Sequence, residues 1–305
     1  MGEFELIKRY FSGLDHGPNT LIGMGDDAAV LQIPPDHALV VSVDTSVVGT
    51  HFLESTFAEA IAYRSVASAV SDLAAMGSTP VGMTLAITLP EADEWWLRTF
   101  SEGLCRASTD FQCPLIGGDT TRGPLTISVT VHGVLPVGKA LTRDGARAGD
   151  DIYVSGTLGD AAGGLKVELN QCESDDFDLT EALHDAWLSP TPRLELGQTL
   201  LPLATSCIDI SDGLLADLGH IVKASQVGAQ LNLSDIPLSP ELVAVFGQEA
   251  ALAMALKGGE DYQLCFTLPA GTPAPEGCRR IGKIIEGTGI AAQNGPLTLE
   301  GWTHF

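Results

Sequence analysis

The sequence predicts a two-domain α/β protein, and three observations predict it. Apolar runs of strand length alternate with segments of helical periodicity along the chain. A length of 305 residues with 45% apolar side chains suits one large or two ordinary domains. The segment GKALTRDGARAGDD, rich in glycine and charge, interrupts the alternation once, just after residue 136. The economical division is a first domain over 1–138 and a second over 139–305.

The elements follow in order. MGEFELIKRYF carries Phe4, Ile7, Tyr10 and Phe11 on one side of an amphipathic helix. Strand-like runs lie at 28–33, 38–43, 81–89 and 125–135, and helix-like runs at 57–76 and 92–110. Beyond the boundary, IYVSG reads as a strand that feeds the Gly/Ala-rich turn TLGDAAGGL. A helix at 192–203, a strand at 206–210, a helix at 212–225 and a strand at 229–233 come next, then strands near 262–267 and 279–285. NQCESDDFDLTEALHD is acidic and reads as a solvated surface connection. There is no short tandem repeat, no signal-peptide pattern and no apolar run of membrane-spanning length. The six cysteines (105, 113, 172, 207, 265, 278) form no CxxC pair, and several lie in apolar runs. Buried free thiols in a reducing cytoplasm are the expectation.

Charge narrows the partners. The chain has 39 acidic residues against 16 basic ones, a formal net charge of −23. Such a field repels nucleic acid and anionic membrane, so neither is expected as a partner. A phosphorylated small molecule remains compatible, provided a cation sits between protein and phosphate.

The acids recur at turns and strand ends, in GMGDDAAV, VSVDTS, AVSDLAAMG, IGGDTTRG, SCIDISDGLLADLGH and LKGGEDYQL. Singly, each has an ordinary structural explanation. Asp27 follows a glycine turn, Asp44 ends an apolar run, and Ser211 or Asp212 would cap a helix. Asp72 is harder to explain. It lies near the end of an alanine-rich helix, where the macrodipole disfavours a carboxylate by about 0.3–1 kcal/mol. Collected at the mouths of an α/β fold, such acids suit a hard cation and the phosphates it carries. Mg²⁺ fits best, because no EF-hand loop and no Cys/His cluster occurs. Walker A and protein-kinase signatures are absent as well. The Gly-rich turn after IYVSG could offer backbone N–H groups to phosphate, or it could simply permit close packing.

The ordered set GMGDDAAV, VSVDTSVVGTHF, SDLAAMGSTP, IGGDTTRGP, LTRDGARAGDDIYVSGTLGDAAGGL, ISDGLLADLGHI and GGEDYQL resembles the thiamine-monophosphate kinases. That family belongs to the superfamily of aminoimidazole ribonucleotide synthetase and selenophosphate synthetase, and the resemblance covers nearly the whole chain. It implies an N-terminal mixed-sheet domain that forms a barrel across a homodimer, and a C-terminal α/β sandwich domain that completes the nucleotide site. It implies several Mg²⁺ ions near Asp27, Ser42, Val43, Asp44, Asp72, Asp119, Asp209 and Asp212. Gly118, Asp119, Arg143 and Ser211 match ATP contacts; His51, Glu260 and Trp302 match substrate contacts. The implied reaction is in-line transfer of the γ-phosphate of ATP to thiamine monophosphate, in the cytoplasm. No side chain serves as a catalytic base. The alternatives are another ATP-cleaving member, similar to aminoimidazole ribonucleotide synthetase, and a non-enzymatic acidic metal-binding protein. Selenophosphate synthesis is disfavoured, because no cysteine precedes residue 105.

Overall fold

The structure is a computed structural model that describes residues 2–14, 17–293 and 297. The chain divides into two compact units. One holds 1–73 and 78–138, the other 74–77 and 139–305.

The first unit is built on a four-stranded mixed sheet. Its strands are β3 (His37–Val47), β4 (Thr79–Leu89), β5 (Leu115–Arg122) and β6 (Thr126–Pro136), in the order β3-β6-β4-β5. β6 runs antiparallel to both β3 and β4, while β5 joins β4 in parallel. Two short strands, β1 (Thr20–Ile22) and β2 (Val30–Leu31), pair separately. Helix α1 covers Glu3–Tyr10, α2 Ala58–Ala75 and α3 Glu94–Asp110. α3 starts where the Asp93 carboxylate accepts the Trp96 N–H at 2.6 Å. Val81, Met83, Leu85, Ile87, Ile127, Val129 and Val131 alternate along β4 and β6 and are buried, as are Val66, Val70, Leu97, Phe100 and Leu104 of α2 and α3. On β3 the alternation exposes Leu39, Val41 and Val43, at 47%, 56% and 59% of their surface. β3 is an edge strand, and this apolar strip is exposed on it.

The second unit has a six-stranded sheet covered on both faces. Its strands are β7 (Asp151–Ser155), β8 (Ser206–Asp209), β9 (Gly228–Leu231), β10 (Leu264–Leu268), β11 (Cys278–Ile285) and β12 (Gly289–Ala292). The order is β12-β9-β11-β7-β10-β8, antiparallel except for β12 with β9. The helices are α4 (Asp160–Glu168), α5 (Phe177–Leu188), α6 (Leu194–Leu200), α7 (Leu214–Ser225) and α8 (Pro240–Lys257). Leu214, Leu218 and Ile221 of α7 join Ile152, Val154, Ile208 and Ile281 in one core. Leu200 of α6 joins Cys207, Leu264, Phe266 and Leu268 in another. Two covered faces explain why β8 and β10 read as unbroken buried runs.

This is the mixed α/β, two-unit architecture that the alternation predicts. The exceptions have physical causes. The acidic segment 170–185, expected to be a surface connection, runs into α5, which buries Leu183 and Trp187 one helical turn apart. β3 does not stop at Asp44 but continues to Val47, and β5 runs through Asp119 to Arg122. Cys113, Cys207 and Cys265 are buried, Cys172 and Cys278 partly so, and Cys105 is exposed.

Candidate functional site

In the first unit, β3 and α2 bring three of the expected residues together. Ser42 and Asp44 lie two apart on β3, so they share a face; Ser68 and Asp72 lie four apart on α2 and do likewise. The bonds cross between these elements. The Ser42 hydroxyl donates to the Asp72 carboxylate, and the Ser68 hydroxyl donates to Asp44 Oδ2 at 2.7 Å. Val43 points the other way, into the exposed strip. His51 follows β3 in a tight turn, where its Nδ1 accepts the Val47 N–H at 3.1 Å. The neutral ring therefore carries its proton on Nε2.

Asp27 and Asp119 line a different place. A cavity of about 670 Å³ is bounded by Ile7, Phe11, Asp27, Gly118, Asp119 and Thr120 among others. Gly118 is required there, since a Cβ would lie 2.0 Å from the Leu85 carbonyl oxygen. The strand register runs Asp119–Ala86–Ser128–Thr45 across the sheet. Three strand spacings put Asp119 about 14 Å from the β3 edge that carries Asp44. Consistently, no three His, Cys, Asp or Glu residues are grouped to hold a metal ion among the described residues.

In the second unit, Asp209, Ser211, Asp212 and Glu260 form one corner. Asp209 ends β8, and Gly213, at φ 111°, turns the chain into α7. The GGED segment packs on this turn. Glu260 N–H donates to the Ser211 carbonyl at 2.8 Å, and Tyr262 N–H donates to the Ile210 carbonyl at 2.9 Å. A Cβ on Gly259 would lie 2.2 Å from the Ser211 oxygen, so only glycine allows this approach. Glu260 and Tyr262 are held in the left-handed region at φ 67° and 49°, a strain of about 1–3 kcal/mol each. The Glu260 carboxylate accepts the indole N–H of Trp187 at 3.2 Å, and Trp187 stacks on His184.

Two buried aspartates brace the corner. Asp217 Oδ2 accepts the N–H groups of Ser211, Asp212 and Gly213, each at 3.0 Å. Burial pushes its carboxyl up to about 7, and the charges of Asp209 and Asp212 add to the rise. Asp261 accepts the N–H groups of Gly159 at 2.7 Å and Ala161 at 3.2 Å. Burial lifts it to about 7 as well, with Asp160 and Glu260 contributing and the two N–H bonds opposing. Those bonds take two amides at the start of α4, those of Gly159 and Ala161, which the Gly-rich turn after β7 therefore does not offer to phosphate. Its glycines serve close packing instead: a Cβ on Gly164 would lie 2.1 Å from the Leu183 carbonyl oxygen. Arg143 is exposed beside the far end of α7, where Ser225 Oγ donates to its carbonyl oxygen at 3.1 Å. Twelve residues of α7, about 18 Å, separate that end from Ser211. Trp302 lies outside the described residues.

Asp217, Asp261 and Trp187 were not singled out by motif. Their signals exist in retrospect. Asp217 falls on the apolar face of α7, between Leu214 and Ile221, and Asp261 directly precedes the buried run into β10.

The donors at all three acidic places are hard oxygens, carboxylates and hydroxyls, with mutual repulsion at the Asp209–Asp212–Asp217 corner that a cation would relieve. That donor set fits Mg²⁺.

The chain is similar to known proteins along its length. Residues 25–135 match the family model of the AIR synthase related protein N-terminal domain, and residues 147–293 match its C-terminal domain. Thiamine-monophosphate kinase of Escherichia coli (strain K12) is 45% identical, over 100% of this chain and 98% of that one. The crystal structure of thiamine-monophosphate kinase from Stenotrophomonas maltophilia K279a superposes with a TM-score of 0.84 at 43% identity, covering 90% of this chain and 91% of that one. AaThiL complexed with AMPPCP and TMP gives 0.83 at 33% identity, over 90% and 89%. This chain belongs to the thiamine-monophosphate kinases of the AIR synthase related family.

Proposed function

We propose that the protein transfers the γ-phosphate of ATP to the phosphate of thiamine monophosphate, giving thiamine diphosphate. One observation carries the reading: the Glu260 N–H bonds the Ser211 carbonyl, so the GGED and ISDG motifs form one corner. That corner sets a carboxylate for a cationic substrate beside Asp209 and Asp212. The relatives support it, one of them complexed with AMPPCP and TMP.

The two units are read as domains 1–138 and 139–305, the first for nucleotide, metal and dimerisation, the second completing the site. The attacking group is a phosphate oxygen of the substrate. A phosphate monoester has its second pKa near about 6, so it is largely ionised at neutral pH and needs no base. The protein's task is positioning and charge compensation. Glu260, held by Trp187 and by its own strained backbone, faces the cationic thiamine. Ser211 presents its hydroxyl to ATP from the corner, and Gly118 and Asp119 meet ATP at the cavity of the first unit. His51 and Trp302 are the remaining substrate contacts. Arg143 is kept as an ATP contact, its backbone lying beside the Ser225 end of α7. Asp27, Asp44, Asp72, Asp119, Asp209 and Asp212, with Ser42 and the backbone at Val43, would hold Mg²⁺. When bound, Mg²⁺ screens the phosphate charge that these acids would otherwise repel.

A homodimer is part of this proposal. The exposed strip Leu39–Val41–Val43 on an edge strand fits a second copy, whose sheet would close the barrel. No helix of the described residues is long and apolar enough to cross a membrane, and the cytoplasm is the proposed location. Steady-state assay of ATP with thiamine monophosphate, quantifying both products, tests the reading. ADP and thiamine diphosphate are expected in equal amounts, both abolished by chelator. ATP cleavage without thiamine diphosphate would overturn it.

A further inference from the structure

We infer that Asp217 is the positioning residue of the Asp209–Asp212 corner: its carboxylate turns three successive backbone N–H groups inward and so aims the Ser211 and Asp212 side chains outward, toward ligand. The geometry is specific. A single oxygen, Oδ2, accepts from Ser211, Asp212 and Gly213 at 3.0 Å each. The side chain is 2% exposed, and it reaches back from the fourth residue of α7. An ordinary helix cap works from the residue before the helix and satisfies one or two amides. Here consecutive amides converge on one point, the arrangement that binds anions in phosphate loops. The protein fills that nest with its own carboxylate. The corner's amides are therefore unavailable to a phosphate, and recognition there falls to side chains whose direction Asp217 sets. The backbone at Gly213, φ 111°, adopts this turn only as glycine, so the amide-to-carboxylate bonds hold a conformation that the neighbouring side chains depend on.

The catalytic consequence rests on the function proposed above; the local ordering does not. Two variants separate the possibilities. Asp217→Asn keeps one carbonyl oxygen that can accept all three N–H groups, and Asp217→Ala keeps none. In metal-free, nucleotide-free protein, amide hydrogen exchange over 209–216 is expected to accelerate about tenfold or more in Asp217→Ala, and to stay within about threefold of wild type in Asp217→Asn. In the assay of ATP with thiamine monophosphate, Asp217→Ala is expected to lower kcat about tenfold and to raise the half-saturating Mg²⁺ concentration, while Asp217→Asn restores both to within about threefold. If Asp217→Ala does not fold, Asp217→Asn decides alone: it must fold, protect the corner and turn over. A folded Asp217→Ala with fast local exchange but unchanged kcat and Mg²⁺ dependence would overturn the inference. So would a folded, protected Asp217→Asn as impaired as the alanine variant. A wild-type protein that makes no thiamine diphosphate, yet shows the exchange contrast, would sink the proposed reaction and leave the ordering role of Asp217 standing.

Discussion

Replacing Trp187 by phenylalanine tests whether Glu260 faces the substrate. Trp187 is 1% exposed and donates its indole N–H to Glu260 Oε2 at 3.2 Å. Phenylalanine keeps a ring against His184 but removes that donor. Hydrogen bonds to charged groups contribute about 1.5–3 kcal/mol, and a bond of this length belongs at the lower end. About 1.4 kcal/mol is tenfold in affinity, so a bond of that worth spent on orienting Glu260 raises KM for thiamine monophosphate roughly tenfold. Smaller ring volume in a closed site also costs about 1–3 kcal/mol of fold stability, which urea unfolding measures separately. The assay is a pair of saturation curves, thiamine monophosphate at saturating ATP and the reverse. KM for thiamine monophosphate is expected to rise while kcat and KM for ATP stay within about twofold. An equal rise in both KM values, or no change in a folded variant, would mean that Trp187 does not orient Glu260 toward thiamine monophosphate.

Asp261 should leave a mark on stability against pH. Its folded carboxyl is raised to about 7 from an ordinary value of 3.8, so the native state holds its proton more tightly than the unfolded chain. The stabilising contribution is full below the unfolded value and is lost as pH rises toward 7, by up to about 1.4 kcal/mol per pH unit. Urea unfolding between these limits should show a shallower decline for Asp261→Asn than for wild type; parallel slopes would contradict the assignment. The strip on β3 makes a separate prediction. Val41→Lys places an ammonium among Leu39 and Val43 and should convert the proposed dimer to a folded monomer in sedimentation, whereas an unchanged dimer would remove this face from the interface.

Much of the fold was legible because periodicity carried it. The period-two pattern in β4 and β6 and the buried stripe of α7 follow from one covered face each. α5 was not legible in the same way. An acidic run precedes it and Asp178, Glu181 and Asp185 punctuate it, so the spacing of Leu183 and Trp187 is what shows the buried side. The acidic motifs announced the site as a set, but not its division. Asp44 and Asp72 meet through serines on one edge of a sheet, while Asp119 lies at the other edge with Asp27 in a cavity. Strand order decides that, and no local pattern reveals strand order. Asp217 and Asp261 were hidden for a further reason. Motifs are carried by acids that face ligand, whereas these two face backbone, Asp217 that of Ser211–Gly213 and Asp261 that of Gly159 and Ala161.

The proposed reaction is direct transfer between two phosphates, with side chains that position and none that carries the group. A rapid-quench experiment with γ-labelled ATP, Mg²⁺ and thiamine monophosphate tests it most directly. Label is expected to pass from ATP to the terminal phosphate of thiamine diphosphate, one for each ADP formed. Protein mixed with labelled ATP alone should stay unlabelled. Stoichiometric label on the protein that then chases into thiamine diphosphate would mean that the protein itself carries the group.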